Sequence, residues 1–286
     1  QNGRVYVEKA YEIPEGSRTS KGRNIINFLE MQKDEYVAAI IAVDDFASDD
    51  SLVLSTKKGV VKKSKINVYK NHRKGGIIAI NVDDGDEVLQ ALSIESEDQL
   101  LLLSRNGKGL RFDSSQLRDQ GRATRGVRGI RLKADDEVVN LLKVEDQKLL
   151  LIAGRNGLGI RTRFNSFLPN GGEPVDNEST VSPRKRGGQG VIAMNTDAVC
   201  GAISVEPSSE ILMITNAGQT VRCAVENIRE TNRGSKGVKL VNLSGKDNLV
   251  GVSEVIELDE EDSVNDEGES ISEKIEGIPD TIEENS

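Results

Sequence analysis

The stretch Leu100-Leu-Leu-Leu-Ser-Arg-Asn-Gly-Lys-Gly-Leu-Arg111 joins an aliphatic run to a glycine that an arginine follows four residues later. The same pattern recurs over residues 52–63, 149–161 and 211–222, with lysine in place of arginine at position 63. A recurrence about every fifty residues indicates a repeat array of the propeller or solenoid type. A charge carried at the same point of every unit forms a track along a surface rather than a pocket.

A second glycine marks each unit between these hairpin segments. The marker glycines are separated by 54, 50, 64 and 47 residues, and the long interval contains a Gly-, Pro-, Asn- and Ser-rich loop over roughly residues 165–180. About ten residues after each marker comes a third apolar segment. The marker glycines are Gly22, Gly76, Gly126, Gly190 and Gly237. The third segments are Tyr36–Val43, Val88–Ile94, Val138–Val144, Val199–Val205 and Leu249–Ile256.

The pattern of each unit therefore predicts four short strands, because short β-branched runs bounded by Gly, Asp, Asn and Ser favour strands over helices. Asn106-Gly107 and Asn156-Gly157 predict hairpins with type I′ turns. Four strands per unit match a propeller blade. The predicted fold class is all-β, and the last half-unit, Gly237–Ile256, is a candidate to close the ring by pairing with Gly3–Ile13.

The net charge of −9 is unevenly distributed. Residues 254–286 contain 14 acidic residues and one lysine, a charge of −13, so the remaining residues carry +4. We predict a domain over residues 1–256 and a disordered acidic tail over residues 257–286. Such a tail either competes with nucleic acid for a basic surface or only keeps the chain soluble.

Other chemistry has little support in the sequence. Cys200 and Cys223 lack metal-site spacing, and His72 is the only histidine, so we expect no catalytic residues, no metal site and no cofactor in this chain. No apolar run has the length of a membrane span, and no signal peptide opens the chain. A reducing, cytoplasmic setting and no membrane partner are expected.

The loops between units are rich in arginine and lysine, and each ends at a marker glycine. Arginine donates paired hydrogen bonds to phosphate, and nearby glycines allow backbone amides to approach it. Aromatic residues are not interleaved, so we expect binding to the backbone of double-stranded DNA with little sequence selectivity. The alternative is a solvated basic edge. The candidate DNA-binding residues are Arg18, Lys21, Arg23, Arg73, Lys74, Arg122, Arg125, Arg128, Arg184, Lys185, Arg186, Gly187, Gly188, Arg233 and Lys236.

The basic residues of the hairpin segments are more ambiguous, because they could contact DNA or pair with acidic turn residues between blades. These are Lys63, Arg111, Arg161 and Arg222.

The chain resembles the C-terminal DNA-wrapping domains of the gyrase A and topoisomerase IV families over about residues 1–256. The resemblance lies in Gly3-Arg-Val-Tyr6, Tyr11-Glu-Ile-Pro14, Gly22-Arg-Asn-Ile-Ile-Asn27 and, most closely, Thr124-Arg-Gly-Val-Arg-Gly-Ile-Arg131. It implies a β-pinwheel of five or six four-stranded blades that exchange strands and bend DNA around a basic rim. It also implies that this is a non-catalytic piece of an ATP-dependent type II topoisomerase in the bacterial cytoplasm, associated with the nucleoid. The partners would be the ATPase subunit together with the rest of the A-type subunit, with ATP and Mg²⁺ used elsewhere in the enzyme.

The family's seven-residue box, Gln-[Lys/Arg]-Arg-Gly-Gly-[Lys/Arg]-Gly, is matched at five positions by Arg184-Lys-Arg-Gly-Gly-Gln-Gly190. Arg184 and Gln189 depart from it, and the copy lies late in the chain rather than in the first blade. Because the chain opens inside a unit, we expect a fragment that begins after the proper box, or a box that has moved. The sequence leaves open gyrase or topoisomerase IV, and a propeller that binds an acidic protein is the rival function.

Overall fold

The computed structural model describes residues 1–16, 20–173, 181–196 and 198–255. Gln1–Val255 forms one compact unit, and the predicted acidic tail from residue 257 lies outside the described residues. The strands are β1 (Arg4–Val5), β2 (Ser51–Thr56), β3 (Val60–Lys65), β4 (Ile77–Ile78), β5 (Val88–Ile94), β6 (Gln99–Ser104), β7 (Lys108–Asp113), β8 (Val127–Arg128), β9 (Val138–Lys143), β10 (Leu149–Gly154), β11 (Leu158–Arg163), β12 (Val191–Ile192), β13 (Val199–Val205), β14 (Glu210–Thr215), β15 (Thr220–Ala224), β16 (Val238–Lys239) and β17 (Leu249–Glu254).

The helical elements in the described ranges are short 3₁₀ turns, so the fold is all-β as predicted. Most of them follow the second strand of a hairpin. None of the described helices has the length and apolar character needed to cross a membrane. The 3₁₀ turns are Ala10–Glu12, Ile25–Asn27, Ile66–Tyr69, Ser114–Gln116, Phe164–Phe167, Pro169–Gly172 and Val225–Asn227.

The strands form five antiparallel sheets that exchange strands along the chain. Three have four strands, in the orders β5-β2-β3-β8, β9-β6-β7-β12 and β13-β10-β11-β16; one has three, β17-β14-β15, and one has two, β1-β4. In each four-stranded sheet the fourth strand has only two residues and comes from the next repeat along the chain. This exchange is the arrangement that the β-pinwheel prediction requires.

The hydrophobic core lies in layers between neighbouring sheets. One layer joins Val53 and Val61 to Leu102 and Leu110, and the next joins Leu101 and Leu103 to Ile152. Aliphatic residues dominate these layers, because thin stacked sheets leave room for side chains of this size and the chain contains no tryptophan.

The strands that follow the acidic turns, β5, β9, β13 and β17, contact one another in series. Side-chain amides bridge some of these contacts. Asn140 Nδ2 donates to the Ala202 carbonyl at 3.2 Å, and its Oδ1 accepts from the Ala202 amide at 3.0 Å, like one more pair of ladder hydrogen bonds. Gln90 Oε1 accepts from the Leu141 amide at 3.0 Å.

The type I′ turn prediction is wrong, although the hairpins themselves are present. Neither Asn106 nor Asn156 has a positive φ, whereas Gly107 and Gly157 have φ of 72° and 76°. The Gly107 amide donates to the Ser104 carbonyl at 3.0 Å, so the loop is a three-residue turn that ends at a left-handed glycine.

The strand predicted over Tyr36–Val43 is wrong, and so is the candidate pairing of Gly237–Ile256 with Gly3–Ile13. Tyr36–Val43 forms no strand, whereas the equivalent segments of the other repeats pair with the aliphatic run of a hairpin. Ile40 is consequently 83 % exposed. The Gly237–Ile256 segment pairs with β11 and β14 instead of Gly3–Ile13, while β1 pairs with β4.

Candidate nucleic-acid interface

The basic loops that end at Gly76, Gly126, Gly190 and Gly237 lie at one structural position, immediately before a two-residue strand at the edge of a sheet, whereas the loop that ends at Gly22 precedes a 3₁₀ turn. For Gly126, Gly190 and Gly237, the carbonyl two residues before the marker glycine accepts a hydrogen bond from the amide five residues after the preceding marker. These bonds are Asn81 to Thr124 at 2.9 Å, Arg131 to Gly188 at 2.8 Å and Asn195 to Ser235 at 2.9 Å. These bonds therefore fix each of the three loops to the repeat before it.

Two of these loops have a further attachment that depends on glycine. The Gly187 amide donates to the Gly129 carbonyl and the Gly234 amide to the Ala193 carbonyl, both at 2.6 Å. Gly187 has φ 80° and Gly234 has φ 82°, a conformation that a residue with a Cβ adopts only at a cost. Gly187 and Gly188, predicted as DNA-binding residues, thus have a structural task in the loop.

The box-like loop is held by Gln116 of the preceding repeat. Gln116 Oε1 accepts from the Arg186 amide at 2.7 Å, and its Nε2 donates to the Arg184 carbonyl at 3.2 Å. Arg186 donates through its guanidinium to the carbonyls of Gln116 and Arg128, and Arg184 Nε donates to the Phe167 carbonyl at 3.3 Å. Both arginines are half-buried, so they bind the fold as well as lining its surface.

Lys185 differs from its two neighbours in the box-like loop. It is exposed, and its ammonium forms no hydrogen bond or ion pair with any described residue. Lys236, one residue before the last marker glycine, has the same environment. These two side chains are free to approach a polyanion without breaking contacts within the fold.

Arg233 repeats the pattern of Arg186 one unit later. Its Nε donates to the Ser166 carbonyl at 2.6 Å and its Nη1 to the Ile192 carbonyl at 3.2 Å. Burial, followed by the nearby charge of Arg184, lowers the pKa of the Arg233 guanidinium. Arg184 and Arg233 therefore place two cations close together between successive loops.

The remaining loop cations vary in environment. Arg122 is half-buried, Arg128 is exposed, and Arg125 pairs with Asp83 across 3.3 Å while remaining 77 % exposed. Four more predicted cations, Lys21, Arg23, Arg73 and Lys74, are exposed. Arg18 lies outside the described residues.

Arg111, in contrast, is only 2 % exposed and is bound within the protein. Its guanidinium forms two 2.7 Å hydrogen bonds with the Asp146 carboxylate, and its Nε donates to Gln99 Oε1 at 2.7 Å. Asn165 Oδ1 accepts a fourth bond at 3.1 Å. This burial favours the structural alternative for Arg111, which is pairing with an acidic turn residue, because its charge faces the protein rather than solvent.

The other three hairpin cations also have partners within the fold. Lys63 lies 3.5 Å from Asp119, and Arg161 Nη1 donates to the Val225 carbonyl at 2.8 Å. Arg222 pairs with Glu210 but is half-exposed. The structural alternative was pairing with acidic turn residues between blades; Arg111 follows it through Asp146, Lys63 pairs with Asp119 of the next loop, and Arg222 pairs within its own hairpin.

Sequence reasoning missed two basic residues. Lys239 is exposed at the second residue of β16, where the register of the repeat places Arg128 in β8, so aligning the exchanged strands would have identified it. Lys62 is fully buried in β3, at the position that Leu110 and Ile160 occupy in other repeats. Burial lowers the pKa of the Lys62 amine to about 8.

The cysteine thiols and the candidate metal ligands were the other reactive groups that the sequence offered. Cys200 and Cys223 are half-buried free thiols, and burial raises the pKa of Cys200 to about 11. Within the described ranges, no three His, Cys, Asp or Glu side chains are grouped to hold a metal ion.

Comparison with known families identifies the same repeat. The sequence model of the family described as "DNA gyrase C-terminal domain, beta-propeller" matches residues 1–44, 50–95, 98–145, 177–198 and 209–256. The DNA gyrase A subunit of Mycolicibacterium smegmatis is 36 % identical over 264 residues, covering 90 % of this chain and 30 % of the relative. The DNA gyrase A subunit of Streptomyces coelicolor is 36 % identical over 290 residues, covering 98 % of this chain and 32 % of the relative. The chain thus spans about a third of the length of these curated relatives.

Solved structures show the same fold. The structure of a DNA gyrase A C-terminal domain superimposes with a TM-score of 0.72 at 27 % identity, covering 89 % of this chain and 80 % of that domain. The C-terminal domain of a DNA topoisomerase IV gives a TM-score of 0.77 at 22 % identity, covering 89 % of this chain and 76 % of that domain.

Proposed function

Because the chain belongs to the DNA gyrase C-terminal domain family, we propose that it binds double-stranded DNA without sequence selectivity and bends it across the outer edges of successive sheets. DNA would follow the basic loops and exchanged strands from one repeat to the next. The proposal concerns binding and shape alone, and assigns no bond-making step to this chain.

The observation that carries the proposal is the recurrence of exposed cations at the same positions of two exchanged strands, β8 and β16. Arg125 and Arg128 bracket the start of β8, and Lys236 and Lys239 occupy the same two positions at β16. Lys185 supplies an exposed cation in the loop before β12, between them along the chain. Equivalent positions in a repeat give a track with regular spacing, as a polyanion with regular charge requires.

The physical basis is electrostatic. Duplex DNA has a phosphate charge about every 1.7 Å along its axis, and each phosphate neutralised by lysine or arginine releases counterions. Such contacts fix position but carry little sequence information. Many contacts along a curved edge offset the cost of bending, which is of the order of 1–6 kcal/mol for a 20–30 base-pair site.

In a longer protein of the kind represented by the relatives, the bent DNA would be presented as the segment for strand passage. The rest of an A-type subunit would supply the breakage and rejoining chemistry, and a B-type subunit would supply ATP hydrolysis with Mg²⁺. Negative supercoiling would then depend on the handedness of wrapping on this chain, in the bacterial cytoplasm near the nucleoid.

The decisive experiment measures DNA topology. The protein is bound to relaxed closed-circular DNA, a nicking-closing enzyme relaxes the complex, and the linking number is read after the protein is removed. We expect a change in linking number that grows with protein concentration. Unchanged linking number together with salt-insensitive DNA binding would refute the proposal and favour the rival, a basic propeller that binds an acidic protein.

A matched pair of variants locates the interface. Lys185→Ala combined with Lys236→Ala removes two exposed loop cations and should flatten the dependence of log K on log salt by about 1.8. Lys246→Ala removes one exposed cation from the turn before β17, which is not one of the basic loops, and should leave the slope unchanged.

The acidic tail is a separate part of the proposal. We expect it to compete with DNA for the basic loops, so that truncation after Leu258 tightens DNA binding at low salt. Equal affinities of the full and truncated chains would leave the tail with only a solubility role.

A further inference from the structure

Lys62 is a buried cation in an otherwise aliphatic register. Its side chain has 0 % exposure, and the equivalent residues in the next two hairpins are Leu110 and Ile160. The Lys62 ammonium donates to two backbone carbonyls, those of Ala79 and Arg122. Ala79 follows the exchanged strand β4, and Arg122 belongs to the basic loop before β8, so Lys62 connects two repeats.

In the repeats that have Leu or Ile at the position of Lys62, the residue after the exchanged strand and the next basic loop are connected differently. There, the amide three residues before one marker glycine donates directly to the carbonyl three residues after the preceding marker. These are the bonds from Gly187 to Gly129 and from Gly234 to Ala193. In the first of these loops, Leu110 lies beneath Gly188, in the place that corresponds to Lys62.

Ala123 and Ala79 occupy the donor and acceptor places in the repeat that contains Lys62. Ala123 does not have the positive φ of Gly187 and Gly234, and within the described residues its amide forms no bond with the Ala79 carbonyl. A residue with a Cβ in that conformation costs about 1–2 kcal/mol, which explains why alanine does not adopt it. The Ala79 and Arg122 carbonyls are therefore available to the ammonium.

We propose that Lys62 is a positioning residue for DNA binding, whose ammonium holds the loop Arg118–Arg125 against the neighbouring sheet in place of a glycine amide. The inference rests on the proposed function for its effect on DNA, because Arg122 and Arg125 are the candidate DNA-binding residues of this loop. The structural part of the inference does not depend on DNA binding. Lys62 with Ala123 attaches this loop to the neighbouring sheet through the ammonium, and Leu110 with Gly187 attaches the next loop through a backbone amide.

The test uses Lys62→Leu, which introduces the residue found at position 110, and the double variant Lys62→Leu with Ala123→Gly, which recreates the pairing of the next loop. Ile160→Val is the matched control, since it weakens the core at the equivalent register without touching a loop carbonyl. Amide hydrogen exchange over residues 118–127 reports the loop, and DNA affinity as a function of salt reports its function.

We expect Lys62→Leu to lose protection in the loop and to bind DNA about eightfold more weakly at 0.1 M salt for each phosphate that the loop no longer neutralises. The double variant should recover both, and Ile160→Val should change neither. Unchanged loop protection in Lys62→Leu, or no recovery in the double variant, would overturn the inference and leave the proposed function intact. Protection that is lost and recovered as expected while DNA affinity stays constant would overturn the role in DNA binding and would count against the proposed interface at this loop.

Discussion

Removing either partner of the Arg111–Asp146 pair provides a quantitative test of the division between structural and DNA-binding cations. Arg111 is 2 % exposed, whereas the Asp146 side chain is 48 % exposed, so the two partners respond differently to losing each other. Arg111→Met leaves a carboxylate that water can solvate and forfeits charge-assisted hydrogen bonds, a loss of about 1.5–3 kcal/mol. Asp146→Ala leaves a buried guanidinium without its counter-charge and should cost about 3–5 kcal/mol.

The assay is urea unfolding of each variant, combined with DNA binding over a range of salt concentrations. We expect Asp146→Ala to be less stable than Arg111→Met, and both to retain the salt slope of the unaltered protein. The reasoning fails if Arg111→Met unfolds at the same urea concentration as the unaltered protein while its salt slope falls by about 0.9, because that is the signature of a phosphate contact.

Three further perturbations follow from the structure. Lys185→Ala should lower the salt slope of DNA binding by about 0.9 with little change in stability, measured against Lys246→Ala, and an unchanged slope would show that DNA does not touch the box-like loop. Gly190→Ala should destabilise the protein by more than about 2 kcal/mol in urea unfolding, because φ is +68° and a Cβ would lie 2.4 Å from the Gly109 carbonyl oxygen; a smaller loss would mean that the loop relaxes. Lys62→Met should reveal a pH-dependent difference in the free energy of unfolding. The pKa of Lys62 in the folded protein is about 8, below the ordinary 10.5, so the unfolded chain binds more protons between these values. The unaltered protein therefore gains stability over the variant as pH rises from 8 to 10. Urea midpoints at pH 7 and pH 9.5 measure this gain, and a parallel response of both proteins would contradict it.

Much of the fold was predictable because its elements are short and local. The predicted segments at Val88–Ile94 and Val199–Val205 coincide with β5 and β13. The Tyr36–Val43 segment has comparable composition but forms no strand, because strand formation requires a neighbour and its pattern contains no information about one. The turn type at Asn106 was wrong for a similar reason, since three loop residues produce a different geometry from two.

The interface was predictable at the level of loops but not of individual side chains. Arg186 and Lys185 are adjacent in sequence, yet Arg186 donates to carbonyls of the preceding repeat while Lys185 extends into solvent. A sequence shows that both are basic, whereas the distinction depends on carbonyls about sixty residues away. Lys62 was missed because a lysine in a strand of mixed polarity is usually exposed.

The exchange of two-residue strands makes the repeat and the sheet different units. Each four-stranded sheet draws residues from two successive repeats, so no cut between sheets releases a repeat with all its strands paired. Insertion of one whole repeat, by contrast, would add a hairpin and a two-residue strand that pairs with the hairpin of the preceding repeat. The outer strand of the new hairpin would in turn pair with the two-residue strand of the following repeat. Gene duplication can therefore change the number of sheets one repeat at a time without creating a new unpaired edge.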